Sequence, residues 1–444
     1  MRSRALLLAW FALAAGPAGL GGCTESNDGV NPAFPNGGLL LAASPAPQSA
    51  YEALQGFYAR PTEAGPFTDR IVAKASPRTL SLFFDRDASY AILRAGCSPY
   101  DGRLVLEGYW RRGLRSDRGL LRLFVAPAEY GRALCAGVAP RDALPPGERA
   151  SLAGAWSAGD AVPHVPVRFA FDGPLLPFRD RFLTVGHRAG CFPQFDCGAS
   201  GNSLETIRLA QALGSDAIEV DVRVTRDGVP ILYHDARFDA YLARGRFCVG
   251  AVKDNTFAEV RASCRLAQGE LVPTLQEALE VAYVETSLLG LYLDTKTKDA
   301  IPAEVELALA YRDRADADGR PFRVVVGITN DEVAEAFAAV APPGTPCLVE
   351  HSLDVARRLG CAIYSPTWTA GPRVAEVEAA QAEGRAVFFW TVNGIEIIDT
   401  MLTEARPNGL VTDRPGLVFY RYQTLGIEPR APLPWPGGLS ERAP

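Results

Sequence analysis

The chain has 444 residues, 48% of them hydrophobic and 22% charged, and a formal net charge of −6 at pH 7. That length suffices for two domains with cores of their own. The acid excess, with arginines scattered rather than clustered, excludes a nucleic-acid partner.

Arg2 and Arg4 precede an apolar run over residues 5–15, and Leu20-Gly21-Gly22-Cys23 follows. A basic start, a short apolar core and small residues before a break read as a secretory signal over residues 1–22. The cysteine just after it resembles a bacterial lipoprotein box. Cys23 is then the lipidated first residue of an exported chain, anchored to a membrane of the cell envelope rather than spanning it. Thr24 in the next position leans towards the outer membrane and periplasm. No later stretch has about eighteen uninterrupted apolar residues. Residues 23–49, rich in Asn, Pro, Gly, Ala and Ser, read as a flexible tether.

Over residues 50–175 short apolar or alternating runs recur between Gly, Pro and Asp turns, which predicts a small all-β domain, a sandwich or a barrel. It holds no reactive cluster, and His164 stands alone between prolines. An accessory role follows, either binding a partner or covering a catalytic mouth. Eight cysteines remain after Cys23: Cys97, Cys135, Cys191, Cys197, Cys248, Cys264, Cys347 and Cys361. They fall into four neighbouring couples, so sequential disulfides are the simplest connectivity in an oxidising compartment. Zinc ligation lacks a Cys-x-x-Cys spacing and a histidine cluster.

Residues 180–425 alternate strand and helix. Strand candidates are 183–185, 217–222, 231–233, 291–294, 324–328, 347–350, 362–364, 387–390 and 409–411, with helices such as 304–313, 331–340, 374–383 and 396–404 between them. This alternation predicts an α/β architecture with a parallel sheet, a TIM-type (β/α)8 barrel. Residues 426–444 read as a Pro-rich tail.

Reactive side chains concentrate in residues 185–235, where two of the chain's four histidines lie. In Ile218-Glu219-Val220-Asp221-Val222 the apolar residues take one strand face and both carboxylates the other. Two acids side by side on a buried strand repel each other and resist desolvation, and a hard cation between them removes both objections.

His187-Arg188, Asn202-Ser203, Glu219-x-Asp221, Thr225-x-Asp227-Gly228 and His234-Asp235, in this order and spacing, resemble the glycerophosphodiester phosphodiesterase family. Residues 272–279, the strand at 291–296, Trp390-Thr391-Val392-Asn393 and the run from Gly409 through Asp413 to Pro415 extend the likeness over roughly residues 182–420. The resemblance implies a metal-dependent phosphodiesterase whose residues sit at the strand C-terminal ends.

Asp294 and Lys296 share a strand face. With Glu219 and Asp221, Asp294 makes three carboxylates, enough for Mg²⁺ or Ca²⁺ with positions left for phosphate oxygen and water. Arg188 and Lys296, beside the metal, suit the charge that grows on phosphoryl oxygens. By similarity to the family, His187 and His234 are the acid/base pair. Trp390 is read either as an apolar wall for substrate or as a core tryptophan, and Glu350-His351 as a weaker lead at another strand end.

Departures from the family bear on the substrate. Ala189 intervenes before Gly190, Gly201 stands where the family carries a Glu, and Asp294 replaces a Glu, a choice resembling the related sphingomyelinase D enzymes. The expected reaction is hydrolysis of a glycerophosphodiester to glycerol 3-phosphate and an alcohol, on a small-molecule or lipid substrate. Two alternatives stay open: a phospholipase of the same superfamily acting on lysophospholipid or sphingolipid, and a non-catalytic lipoprotein that binds a phosphorylated ligand.

Overall fold

The computed structural model describes residues 31–435, apart from 60–64, 68–69, 85, 114, 116, 139–149, 179 and 192–196. The signal segment, Cys23, the first part of the tether and residues 436–444 lie outside the described residues.

The N-terminal sheet comprises β1 (Ser44–Pro45), β2 (Gly56–Tyr58), β3 (Ile71–Ser76), β4 (Thr79–Phe84), β5 (Ser89–Cys97), β6 (Leu104–Arg111), β7 (Arg118–Ala126), β8 (Ser151–Trp156) and β9 (Val165–Gly173). Each strand from β2 to β9 pairs antiparallel with the next and β9 returns to β2, so the sheet closes into an eight-stranded up-and-down barrel. Closure removes the exposed edges of a sandwich. Period-two alternation sends Leu80, Leu82 and Phe84 inward. There Phe67 meets Phe84 and Phe169 edge to face at 4.7 and 5.2 Å, so the interior is a packed core.

The outer face of this barrel is the one that docks. On β4, Ser81 donates to the Ala212 carbonyl at 2.6 Å and Phe83 packs on Phe419. Lys74 of β3, only 4% exposed, reaches Asp216 at 2.6 Å and the Gly214 carbonyl at 2.8 Å.

The expectation of a flexible tether fails from Asn31 onward. Arg111 donates to Asn31 at 2.9 Å, Leu40 N–H to the buried Glu107 carboxylate at 3.1 Å, and Ser44–Pro45 adds to the end of β5. Backbone groups that a free linker would leave to water have protein partners here.

The second sheet begins with β10 (Leu183–Gly186), β11 (Ala217–Val224) and β12 (Pro230–Leu232). After a small hairpin, β13 (Ala243–Arg244) and β14 (Arg265–Leu266), it continues with β15 (Gly290–Thr295), β16 (Arg323–Ile328), β17 (Cys347–Val349), β18 (Ile363–Tyr364), β19 (Ala386–Phe389) and β20 (Gly409–Thr412). Eight parallel strands, β10, β11 and β15 to β20, close through the β10–β20 and β10–β11 pairings. The expected (β/α)8 barrel is therefore present, with one correction. Residues 231–233 are not a barrel strand: β12 folds back antiparallel on β11, pairing Leu232 with Val222. The following segment carries its own small core of Phe238, Ala243, Val252, Val260 and Leu266.

Along β11, Ile218, Val220 and Val222 join the core beneath the surrounding helices, whereas Ala217 belongs to the lumen core. Glu219 and Asp221 share the parity of Ala217 and so project into the lumen. Below them Tyr292, Val325, Leu348, Phe388 and Val411 fill the barrel, and Leu433 and Trp435 seal its base. The Trp435 indole donates to the Pro321 carbonyl at 2.9 Å. The Pro-rich tail thus contributes Leu433 and Trp435 to the core, where two large apolar side chains fill the barrel floor.

The four disulfides pair as expected, Cys97–Cys135, Cys191–Cys197, Cys248–Cys264 and Cys347–Cys361. Among the described residues no helix is long and apolar enough to cross a membrane.

Candidate active site

The parallel register places Asp221 directly opposite Asp294, and Glu219 opposite Tyr292. Neighbours in register on parallel strands project to the same side, so Glu219, Asp221 and Asp294 meet with one carboxylate oxygen each, all within 4.8 Å of one another. Glu219 and Asp221 are 2% and 0% exposed. The Lys296 ammonium lies 3.0 Å from Asp221 and 2.5 Å from Asp294. Asn202 holds Asp221 twice, donating to its carboxylate at 2.7 Å and accepting its backbone N–H at 3.1 Å.

Arg188 leaves β10 in a turn where it and Ala189 hold positive φ of 50° and 70°. That conformation costs a non-glycine residue on the order of 1 kcal/mol. It aims the Arg188 N–H at Glu219 (2.7 Å) while the guanidinium stands 3.3 Å from Asp221. Gly201 packs against the same turn: a Cβ there would lie 3.0 Å from that of Arg188, so any side chain at this position requires the turn to give by a few tenths of an ångström.

His187 Nδ1 is 2.6 Å from Asp413 at the end of β20, and its Nε2 is 3.8 Å from Glu219. Asp413 is itself fixed by Asn393, which donates to its carboxylate and accepts its backbone N–H at 2.8 Å. His234, just after β12, has Nδ1 2.5 Å from Asp235, and Arg223 donates to its carbonyl at 2.7 Å. Both histidines thus have a carboxylate on Nδ1, which leaves Nε2 as the nitrogen able to exchange a proton with another group. His234 arrives from the hairpin arm, not from a barrel strand end.

Electrostatics follow from this packing. Burial, then the neighbouring Asp221, pushes the Glu219 carboxyl up to about 8. Asp221 is equally buried, yet Lys296 and Arg188 overcome that penalty and hold it at about 2. Burial pulls the His187 imidazole down, but Glu219 and Asp413 outweigh it and raise it to about 8. Burial raises Asp294 against the opposing pull of Lys296.

A cation fits this donor set. Glu219 Oε1 is buried without a hydrogen-bond partner, and a carboxyl that must keep a proton when alone is one a hard cation would ionise.

Trp390 packs at the top of the lumen core, its indole N–H donating to the Ser365 carbonyl at 2.8 Å. Of the Glu350-His351 lead, His351 turns to Asp331 on an outer helix (3.4 Å). Glu350 instead faces the site: it accepts the Tyr292 hydroxyl, and burial followed by Asp294 raises it to about 8. Asn202, Asp235, Asn393 and Asp413 are site groups to which the sequence alone assigned no role, although each stands in one of the family-like motifs. Glu350 was only a weak lead, marked by its place after a strand. A small cleft opens beside Arg188 and Asn202, which contact Asp221, and is lined further by Gly201, Tyr233, His234 and apolar Leu242 and Leu266.

Comparison with known proteins agrees. The model of the glycerophosphoryl diester phosphodiesterase family matches residues 189–417. The chain is 30% identical over 242 residues to the Mycobacterium tuberculosis protein named "Probable glycerophosphodiester phosphodiesterase 2", covering 49% of this chain and 83% of that protein. It is 35% identical over 141 residues to glycerophosphodiester phosphodiesterase 1 of Bos taurus, covering 30% of this chain and 38% of that one. Among solved structures, an Oleispira antarctica phosphodiesterase in complex with the product sn-glycerol-3-phosphate superposes with a TM-score of 0.43 at 21% identity, covering 54% of this chain and 95% of that one.

Proposed function

The chain belongs to the glycerophosphoryl diester phosphodiesterase family, and from that premise we propose that it is a phosphoric diester hydrolase cutting glycerophosphodiesters to glycerol 3-phosphate and an alcohol. The observation that carries this reading is the convergence of Glu219, Asp221 and Asp294 within 4.8 Å, with Lys296 beside them.

Glu219, Asp221 and Asp294 would hold Mg²⁺ or Ca²⁺, which when bound supplies Lewis-acid stabilisation of phosphoryl charge. Arg188 and Lys296 bind and orient the phosphate, neutralising charge as it grows on the oxygens in flight. His187 and His234 divide the proton transfers: one takes the proton of the attacking oxygen at Nε2, the other protonates the departing alkoxide. Asp413 and Asp235 fix the two rings through Nδ1, and Asn393 fixes Asp413. Trp390 forms an apolar wall over the lumen for the organic part of the substrate. Export with Cys23 lipidated belongs to the same reading; four disulfides suit an oxidising compartment.

The test incubates the chain from Thr24 onward, disulfides intact, with glycerophosphocholine, glycerophosphoethanolamine, glycerophosphoglycerol and lysophosphatidylcholine, with Mg²⁺ or Ca²⁺. Metal-dependent release of glycerol 3-phosphate, lost in His187→Ala, supports the proposal. Turnover of the lyso-lipid alone, or a cyclic phosphate seen by ³¹P NMR, replaces it with the phospholipase reading. Tight binding of the diesters without turnover sinks catalysis altogether.

A further inference from the structure

The segment between β12 and the helix Leu275–Glu285 exposes apolar surface unusually close to chemistry. Tyr241, Phe247 and Val249 are 52%, 67% and 63% exposed, and Leu271, bridged to β14, is 43% exposed. Large apolar side chains scattered singly over a surface need no explanation, but several together beside a cleft do. This tip is not a loose loop. The Cys248–Cys264 disulfide clips it, Ala243 and Leu266 pair across β13 and β14, and Phe238, Val252 and Val260 form a core beneath it. Rigid support means that the exposed side chains are held out.

Charge narrows the partner. Residues 240–250 contain Arg244 and Arg246 and no acid, in a chain whose net charge is −6. Arg244 lies opposite Arg265 in the hairpin register, and the Arg246 guanidinium stands 5.3 Å from the Phe247 ring centre. Aromatic and aliphatic side chains among arginines suit the boundary of an anionic bilayer, where rings enter the headgroup layer and guanidinium groups meet phosphates. Leu242, next to Tyr241, and Leu266, next to Arg265, line the cleft that ends on Arg188 and His234.

We propose that the disulfide-clipped tip carrying Tyr241, Arg244, Arg246, Phe247 and Val249 docks on an anionic phospholipid surface and sets the active-site cleft against it. The idea deepens the function proposed above, since it adds the surface at which the diester is met.

The test measures partition of the chain from Thr24 onward, which keeps every described residue, onto vesicles of phosphatidylcholine with and without 30 mol% phosphatidylglycerol (roughly the anionic content of a charged leaflet). Cosedimentation is expected with the anionic vesicles, weakened at least about tenfold by Phe247→Ser/Val249→Ser, by Arg244→Glu/Arg246→Glu, and by raised salt. Turnover of soluble glycerophosphocholine is expected to match the parent in the first variant, which shows that its fold is intact. Binding unchanged in both variants, or absent in the parent, overturns the proposal. So does a parent that dimerises through the tip, seen as loss of dimer in Phe247→Ser/Val249→Ser by sedimentation. Tip-dependent binding in a protein that turns over no diester supports this proposal and refutes the catalytic one; diester turnover without vesicle binding does the reverse.

Discussion

Asp221 and Asp294 stand opposite each other on β11 and β15, and one ammonium, that of Lys296, serves both, at 3.0 and 2.5 Å. Lys296 and Arg188 satisfy Asp221, while Glu219 beside it is pushed up to about 8 by burial and by Asp221, so a hard cation is what would let all three carboxylates ionise together.

Asp221→Asn keeps the shape of the side chain and removes its charge. The variant is expected to lose roughly 10²–10³-fold in kcat, the size typical for deleting one electrostatic contact to a transition state. Isothermal titration should show weaker Mg²⁺ or Ca²⁺ binding in the same variant. Full activity after Asp221→Asn, or in EDTA, would remove the metal from the mechanism.

His187 is raised to about 8 although burial alone would lower it, because Glu219 and Asp413 favour the imidazolium. A cation on Glu219 cancels that charge, so the His187 titration followed by NMR is expected to move downward when Mg²⁺ is added. Asp413→Asn should also lower it and reduce kcat by about 10²-fold, within the range for misplaced acid/base groups. A titration indifferent to metal would separate His187 from the carboxylate cluster.

Glu304 is fully buried, accepts the Thr295 hydroxyl at 2.6 Å, and is raised by burial to about 8. For a carboxyl raised on folding, the native state keeps its proton while the unfolded chain has already lost it above pH about 4.5. Stability therefore falls as pH rises from about 4.5 to about 8 and levels off beyond. Glu304→Gln is expected to be near neutral at pH 5 and stabilising by roughly a few kcal/mol at pH 8.5, read as urea midpoints. Equal effects at both pH values would contradict this sign.

Lys74→Met leaves Asp216 buried between the barrels without its ammonium partner, although Thr184 N–H still donates to it at 3.0 Å. Loss of one member of a buried pair costs about 3–5 kcal/mol. The denaturation midpoint should drop accordingly, and Lys74→Met/Asp216→Leu should recover much of it.

Most of the catalytic barrel was legible because buried parallel strands announce themselves as apolar runs, and because a polar pair on such a run, Glu219 and Asp221, has no cheap structural excuse. What escaped was long-range. Nothing local distinguishes the strand at residues 231–233 from a barrel strand, since only its neighbour decides whether it pairs parallel or folds back. Asp413 lies 226 positions from His187, and Glu350 is met by a tyrosine hydroxyl two strands away, so both assignments needed the closed sheet. The tether was misread because Pro- and Gly-rich composition disfavours regular elements but does not forbid packing against a neighbouring sheet, as residues 31–45 do.

The seal at the bottom of the catalytic barrel also sets an order of events. Leu433 and Trp435 come after every strand they sit beneath, so a nascent chain paired through β20 still has an open floor. Water can reach the lumen from below until the last stretch is delivered. Completion of the vessel thus waits until residue 435 is delivered, and a chain stopped before Leu433 would have a barrel with all its candidate site groups and no bottom.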